Sequence, residues 1–244
     1  MSDQPFANND NPLLRALVAK SIENSLSVAV VAFPGTTNKG FIEQRTVETM
    51  KSNAIDAINE LKNIINNFKN LKKILIGRSA GGTLVGGLVN LNFEKFIIIA
   101  GRLKTKELYD QIIKKPGSYP KLVKNNKNYY AFGLSKPYIR ADKTFKNKNS
   151  LFYCLCQKYV DELINEESVI RNTFKLSNKQ AELLFLQSRD DKTVPYQVNE
   201  WKKLADMNNL KNEIYSIKFP CGHMFNTEPA VNETVDKIIS FINC

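Results

Sequence analysis

The sequence predicts an α/β protein built on a mostly parallel, doubly wound sheet, and three observations carry that reading. Five strand candidates are apolar nearly throughout rather than alternating: "LSVAVVAF" (26–33), "KKILIG" (72–77), "KFIIIA" (95–100), "ELLFLQ" (182–187) and "EIYSIKF" (213–219). Strands covered on both faces look like this. Helical patterns lie between them. Residues 41–70 place Ile55, Ile58, Leu61, Ile64, Ile65 and Phe68 near one face, 80–90 are small and apolar, 196–208 are amphipathic, and 228–242 carry Val231, Val235, Ile238, Ile239 and Ile242 at helical spacing. The length of 244 residues, 43% hydrophobic and 24% charged, suits one domain with a well-buried core. Strand and helix in alternation argue for helices on both faces of the sheet.

Residues 101–180 interrupt the alternation. They offer no strand candidate, and they hold the turn cluster "KKPGSYP", the polar run "KNNKN" and ten aromatic residues from Tyr109 to Tyr159. An insertion of this length between two sheet strands reads as a mainly helical lid within a single domain of residues 1–244. Between 102 and 150 there are 13 Lys and Arg against three acids, Glu107, Asp110 and Asp142, so the lid is expected to be basic.

Composition excludes more than it assigns. No apolar run approaches the ~20 residues that span a bilayer. The opening "MSDQPFANND" is polar and slightly acidic, unlike a secretory leader, so a cytoplasmic location is expected. Cys154, Cys156, Cys221 and Cys244 with a single histidine make no zinc set and read as free thiols of a reducing compartment. No metal or other cofactor is expected. A net charge of +11 is compatible with nucleic acid, an anionic membrane or an acidic protein, but no nucleic-acid motif accompanies it. Richness in Lys, Asn and Ile also follows from an AT-rich genome, and nucleic acid is not the expected partner.

Gly77, Arg78, Ser79, Ala80 and Gly81 meet the pattern G-x-S-x-G between a strand candidate and a small-residue helix. That is the strand–turn–helix of a nucleophile elbow, in which the serine backbone is strained. A Walker loop would need a lysine before Thr83, and no G-x-G-x-x-G is present. The base for such a serine is His223, in "FPCGHMF" after the last strand candidate. The acid is expected after the preceding strand, where "QSRDDKTVP" supplies Asp190 and Asp191. The chain order Ser79, Asp191, His223 is that of a hydrolase triad on a parallel sheet.

From residue 26 to 242 the chain resembles the α/β-hydrolase superfamily. Its elbow commonly reads Gly-His-Ser-x-Gly, and Arg78 stands where the histidine would be. The phrase D-x-x-V-P often carries the family's acid, which favours Asp191 over Asp190. "FPGT" (33–36) resembles the His-Gly oxyanion loop with Pro34 in place of His, and "VVAFPGT" is similar to the opening of class-three lipases. "FPCGHMF" and the preceding Trp201 are similar to type II thioesterases.

The resemblance implies a lipase, esterase or thioesterase in which Ser79 accepts the acyl group, His223 moves the proton and Asp191 orients the imidazole. Backbone N–H groups of Ala80 and Thr36 would form the oxyanion hole. Arg78 and Phe33 are placed at the substrate, with a structural ion pair as the other reading of Arg78. The expected substrate is a small-molecule or carrier-bound acyl ester or thioester, and an acidic carrier protein suits the basic lid. The alternative function is a catalytically inactive ligand- or partner-binding protein on the same fold.

Overall fold

The computed structural model describes residues 11–31, 41–42, 46–65, 68–113, 121–124, 127–132, 153–225 and 227–244. They form two compact units: one draws on Val31–Ala57 and Lys104–Glu167, the other on Asn9–Val30, Ile58–Leu103 and Ser168–Cys244. In chain order the elements are α1 (Pro12–Glu23), β1 (Phe41–Ile42), α2 (Val47–Ile64), β2 (Ile74–Arg78), α3 (Ala80–Gly86), β3 (Lys95–Ile99) and α4 (Thr105–Ile113). There follow β4 (Lys121–Lys124), β5 (Lys127–Phe132), β6 (Tyr153–Cys156), α5 (Gln157–Lys175), β7 (Glu182–Ser188), α6 (Val198–Met207), β8 (Lys211–Ile217) and α7 (Glu228–Asn243).

The second unit holds a four-stranded sheet in the order β2-β3-β7-β8, every pair parallel. Its side chains explain why these strands are apolar in unbroken runs. Phe96 and Ile98 of β3, with Leu183 and Phe185 of β7, enter one core beside Val85, Phe174, Trp201 and Leu204. The intervening Ile97, Ile99, Leu184 and Leu186 enter a second core beside α1 and α7. Successive strand residues point to opposite faces, so two covered faces demand an apolar residue at every position. Each such burial is worth about 1.5–3 kcal/mol. On the α7 side the helix buries Val231, Val235, Ile238, Ile239 and Ile242, and α1 packs against it. Asn11 starts α1 by accepting hydrogen bonds at its Oδ1 from the N–H groups of Leu13 and Leu14.

The amino-terminal end of this sheet is charged. Lys95, buried at the first position of β3, donates from Nζ to the Phe241 carbonyl at 2.5 Å and pairs with Glu182 of β7 at 3.3 Å. Lys72 donates to the Ile242 carbonyl at 2.8 Å. These cations satisfy carbonyls at the end of α7 that no later helical turn can reach.

The first unit holds the second sheet, ordered β1-β6-β5-β4, with β1 and β6 parallel and the other pairs antiparallel. In the same unit Glu162 of α5 accepts at Oε2 from the N–H groups of Val47 and Glu48, capping α2. Glu166, one turn on, is buried, which pushes its carboxyl up to about 7 against the opposing charge of Lys51.

Two expectations need correcting. The segment 101–180, expected to lack strands, carries β4, β5 and β6 alongside α4 and α5. These strands are four to six residues long; Lys and Asn interrupt the apolar character of β4 and β5, and β6 is only four residues. The strand expected over 26–33 is not formed at 26–31, where Val28 and Val30 are exposed, and 32–33 lie outside the described residues. Apolar character makes a strand possible, but a ladder needs a neighbour in register. The other four strand candidates form β2, β3, β7 and β8. Of the α2 face, Ile58 is buried as expected while Ile55 and Ile64 are exposed, the buried set being Val47, Met50, Ala54 and Ile58.

Candidate active site

Three loops at the carboxyl ends of β2, β7 and β8 bring the candidate residues together. Parallel strands end side by side, so loops far apart in the chain emerge as neighbours.

Ser79 is the single residue between β2 and α3, at φ 55° and ψ −122°. A non-glycine side chain is rarely held there, and the cost is of order 1–3 kcal/mol. Its surroundings enforce the turn. The Ser79 N–H donates to the Ile99 carbonyl at 2.9 Å, and its carbonyl accepts from the Thr83 N–H at 3.0 Å. A Cβ on Gly77 would sit 2.1 Å from the Gly81 carbonyl oxygen, so only glycine lets β2 pass beneath the helix start. Gly81, which the motif also names, has open space where a Cβ would be. The close approach falls one residue later, where a Cβ on Gly82 would meet the Gly101 Cα at 3.0 Å.

Ser79 Oγ lies 2.8 Å from His223 Nε2, and His223 Nδ1 lies 2.8 Å from Asp191 Oδ2. An ionised carboxylate only accepts, so Nδ1 carries the proton and Nε2 is left to accept from the serine hydroxyl. Asp191 is ionised by design of its loop. Burial, the largest influence, raises its pKa, but the hydrogen bond from His223, those from the Val194 and Thr193 N–H groups and the attraction of the imidazole together hold it below its ordinary value. The Asp191 side chain is 1% exposed and that of His223 10%. Of the two adjacent aspartates, Asp191 and not Asp190 meets the imidazole.

Asp190 turns the other way. Its carboxylate accepts from the Ser188 hydroxyl, from the Gly222 N–H at 3.1 Å and from the Cys221 N–H at 3.4 Å. The Ser188 hydrogen bond, first among these, holds its pKa down against desolvation. Arg78 reaches the backbone of the histidine loop. Its Nη1 donates to the His223 carbonyl at 2.9 Å, and its guanidinium carbon stands 6.0 Å from the centroid of the Phe225 ring. Cys221 is buried, and burial pushes its thiol up, away from nucleophilic use.

Ala80 is the first residue of α3, so its N–H has no intrahelical acceptor. Thr36 and Phe33 lie outside the described residues. Sequence reasoning missed the scaffolding of the acid loop. Buried Gln187 donates from Nε2 to the Val194 and Pro195 carbonyls at 2.9 and 3.0 Å and accepts the Gln197 N–H at 2.9 Å. Arg102, also buried, donates from Nη2 to the Thr193 carbonyl at 2.8 Å. Amides and one arginine inside otherwise apolar strand ends were the available signal. No described helix is long and apolar enough to cross a membrane.

The all-parallel sheet, its flanking helices and the strained serine at a strand–helix junction define an α/β-hydrolase fold. Solved structures share it. One, from work on LipS and LipT, two metagenome-derived lipolytic enzymes, superposes with a TM-score of 0.62 at 15% identity over 95% of this chain and 88% of that one. The esterase domain of a Rhodothermus marinus protein gives 0.62 at 11% identity over 96% and 81%. Mouse alpha/beta hydrolase domain-containing protein 10 gives 0.54 at 13% identity over 97% and 85%. The sequence matches no protein-family model and no curated protein.

Proposed function

We propose that this protein is a serine hydrolase that cleaves carboxylic esters or thioesters through an acyl-enzyme on Ser79. The observation that carries the reading is the hydrogen-bonded series Ser79–His223–Asp191, each link at 2.8 Å, with the serine held at φ 55°. The fold is also shared with lipolytic enzymes and an esterase domain.

In the reaction, Ser79 Oγ attacks the acyl carbonyl as His223 Nε2 takes its proton, and the imidazolium is stabilised by Asp191. The tetrahedral oxyanion is met by the Ala80 N–H; such a donor is worth ~3–4 kcal/mol. His223 then protonates the departing alcohol or thiol. Water, deprotonated by the same nitrogen, releases the acid and restores Ser79. The 13 basic against three acidic residues between 102 and 150 favour substrates with an anionic portion, such as acyl groups on coenzyme A or an acidic carrier protein.

Labelling with a fluorophosphonate tests the reading: the native protein is expected to react and Ser79→Ala to be silent. Absence of labelling in the native protein would return the alternative of a binding protein on a hydrolase fold. A panel of short-chain esters and acyl thioesters then separates esterase from thioesterase, and indifference to the anionic carrier sinks the second.

A further inference from the structure

The imidazole of His223 must be aimed at two atoms at once, yet the backbone that carries it has little packing to hold it. Gly222 sits at φ 55° with open space around its Cβ position, and Met224 is 56% exposed. Buried side chains return only at Cys221 and Phe225. Between these anchors two ionic groups bind the main chain. The Asp190 carboxylate takes the Gly222 N–H with both oxygens at 3.1 Å, and Arg78 Nη1 gives a hydrogen bond to the His223 carbonyl at 2.9 Å. The two held groups bracket Gly222 and His223, so only the dihedral angles of those two residues lie between the grips.

The origin of each grip is informative. Arg78 directly precedes Ser79, and Asp190 directly precedes Asp191. In each pair the second residue bonds one nitrogen of the imidazole and the first bonds the backbone beneath it. Arg78 is itself fixed as the last residue of β2, in register with Ile99. A displacement of the elbow or of the acid loop therefore moves the histidine backbone along with the atom the imidazole must reach.

We propose that Arg78 and Asp190 are a matched pair of positioning residues, a cation and an anion that clamp the histidine loop and set the imidazole between Ser79 and Asp191. The proposal rests on the hydrolase reading for its catalytic consequence but not for its structural one. It replaces the assignment of Arg78 to substrate contact.

The chain has one histidine, so a tag-free, 15N-labelled protein reports His223 alone. At alkaline pH the native imidazole is expected to be the Nδ1–H tautomer. In Arg78→Met and in Asp190→Ala it is expected to become a mixture of tautomers or to broaden by exchange, with Arg78→Lys, which keeps one donor, closer to native. With a reporter ester, both variants should lose roughly 10- to 100-fold in kcat, the size of a small misplacement of a catalytic group. KM should stay within about two-fold. The double variant should fall short of the product of the two losses, because one clamp is already open. Far-ultraviolet circular dichroism and thermal unfolding separate misfolding from misplacement; should Arg78→Met unfold, Arg78→Gln takes its place. A native tautomer in both variants overturns the clamp, and so does an Arg78 effect confined to KM. Failure of the native protein to react with fluorophosphonate, with the tautomer still disturbed in the variants, rejects the hydrolase reading and leaves the clamp standing.

Discussion

The acid loop after β7 and the histidine loop after β8 support neighbouring atoms by different means. The acid loop is held from inside. Gln187 and Arg102, each less than 10% exposed, bind its carbonyls and the Gln197 N–H, the Gln197 side chain accepts from the Leu103 N–H, and Asp191 closes a turn on the Thr193 and Val194 N–H groups at 2.9 Å. The histidine loop is held by carboxylates and a guanidinium from other elements. Besides Asp190 and Arg78, Glu233 of α7 accepts from the Lys218 and Phe219 N–H groups and from the Tyr215 hydroxyl. Phe219 and Met224 on that loop are exposed. A buried amide cannot leave its partner without an unsatisfied group, whereas an ion near water has an alternative. The acid is thus fixed as part of the core, while the base is fixed through bonds that single charge changes can break.

The largest break in that comparison is Asp191→Asn. The asparagine amide would donate to Nδ1, force the proton onto Nε2 and leave nothing to accept from Ser79. Turnover should fall about 10⁴-fold, as the same change does in a serine-protease triad, with the fold unchanged by circular dichroism. Next, Gln187→Leu strips the Val194 and Pro195 carbonyls and the Gln197 N–H of their partner, at a cost of about 1–3 kcal/mol. Denaturant titration should show that loss. An unchanged midpoint would mean the acid loop is not held from inside. On the histidine loop, Glu233→Gln should cost less than about tenfold in kcat with stability little altered. It should also bring the Tyr215 phenol, held up to about 12 chiefly by its hydrogen bond to Glu233, back toward 10, read by ultraviolet titration.

The smallest effect is one of pH. Asp190 and Asp191 have folded pKa values below their ordinary 3.8, so each contributes stability that is present above about that pH and is lost as pH falls through the lower folded value. From pH 8 to 5 neither contribution should change. Below pH 4 the native protein should lose stability faster than Asp190→Ala, and the two unfolding curves should converge; parallel curves would remove Asp190 from the histidine loop's support.

Much of this was legible in the chain. G-x-S-x-G between an apolar run and a small-residue helix located the elbow, because a strained serine needs glycine where chains cross, and Gly77 meets that need at 2.1 Å. The motif's second glycine, Gly81, meets no close approach, since its Cβ position is open. The four strands of the parallel sheet were readable because they send side chains to both cores, β3 and β7 buried almost throughout and β2 and β8 in part. The short strands at 121–132 and 153–156 were not: lysine and asparagine in the first two carry no strand signal, and the four residues of the third pair with a segment more than twenty residues away.

By itself, the sequence determined the layered architecture, the order of the three candidate catalytic residues and the loops that bear them, because strand periodicity and turn chemistry are local. Only the tertiary structure decided which of two adjacent aspartates faces the imidazole and that Arg78 turns to the His223 carbonyl. Neighbours in sequence share a loop but point apart, and partners 144 and 145 residues away meet only when parallel strands bring their ends together.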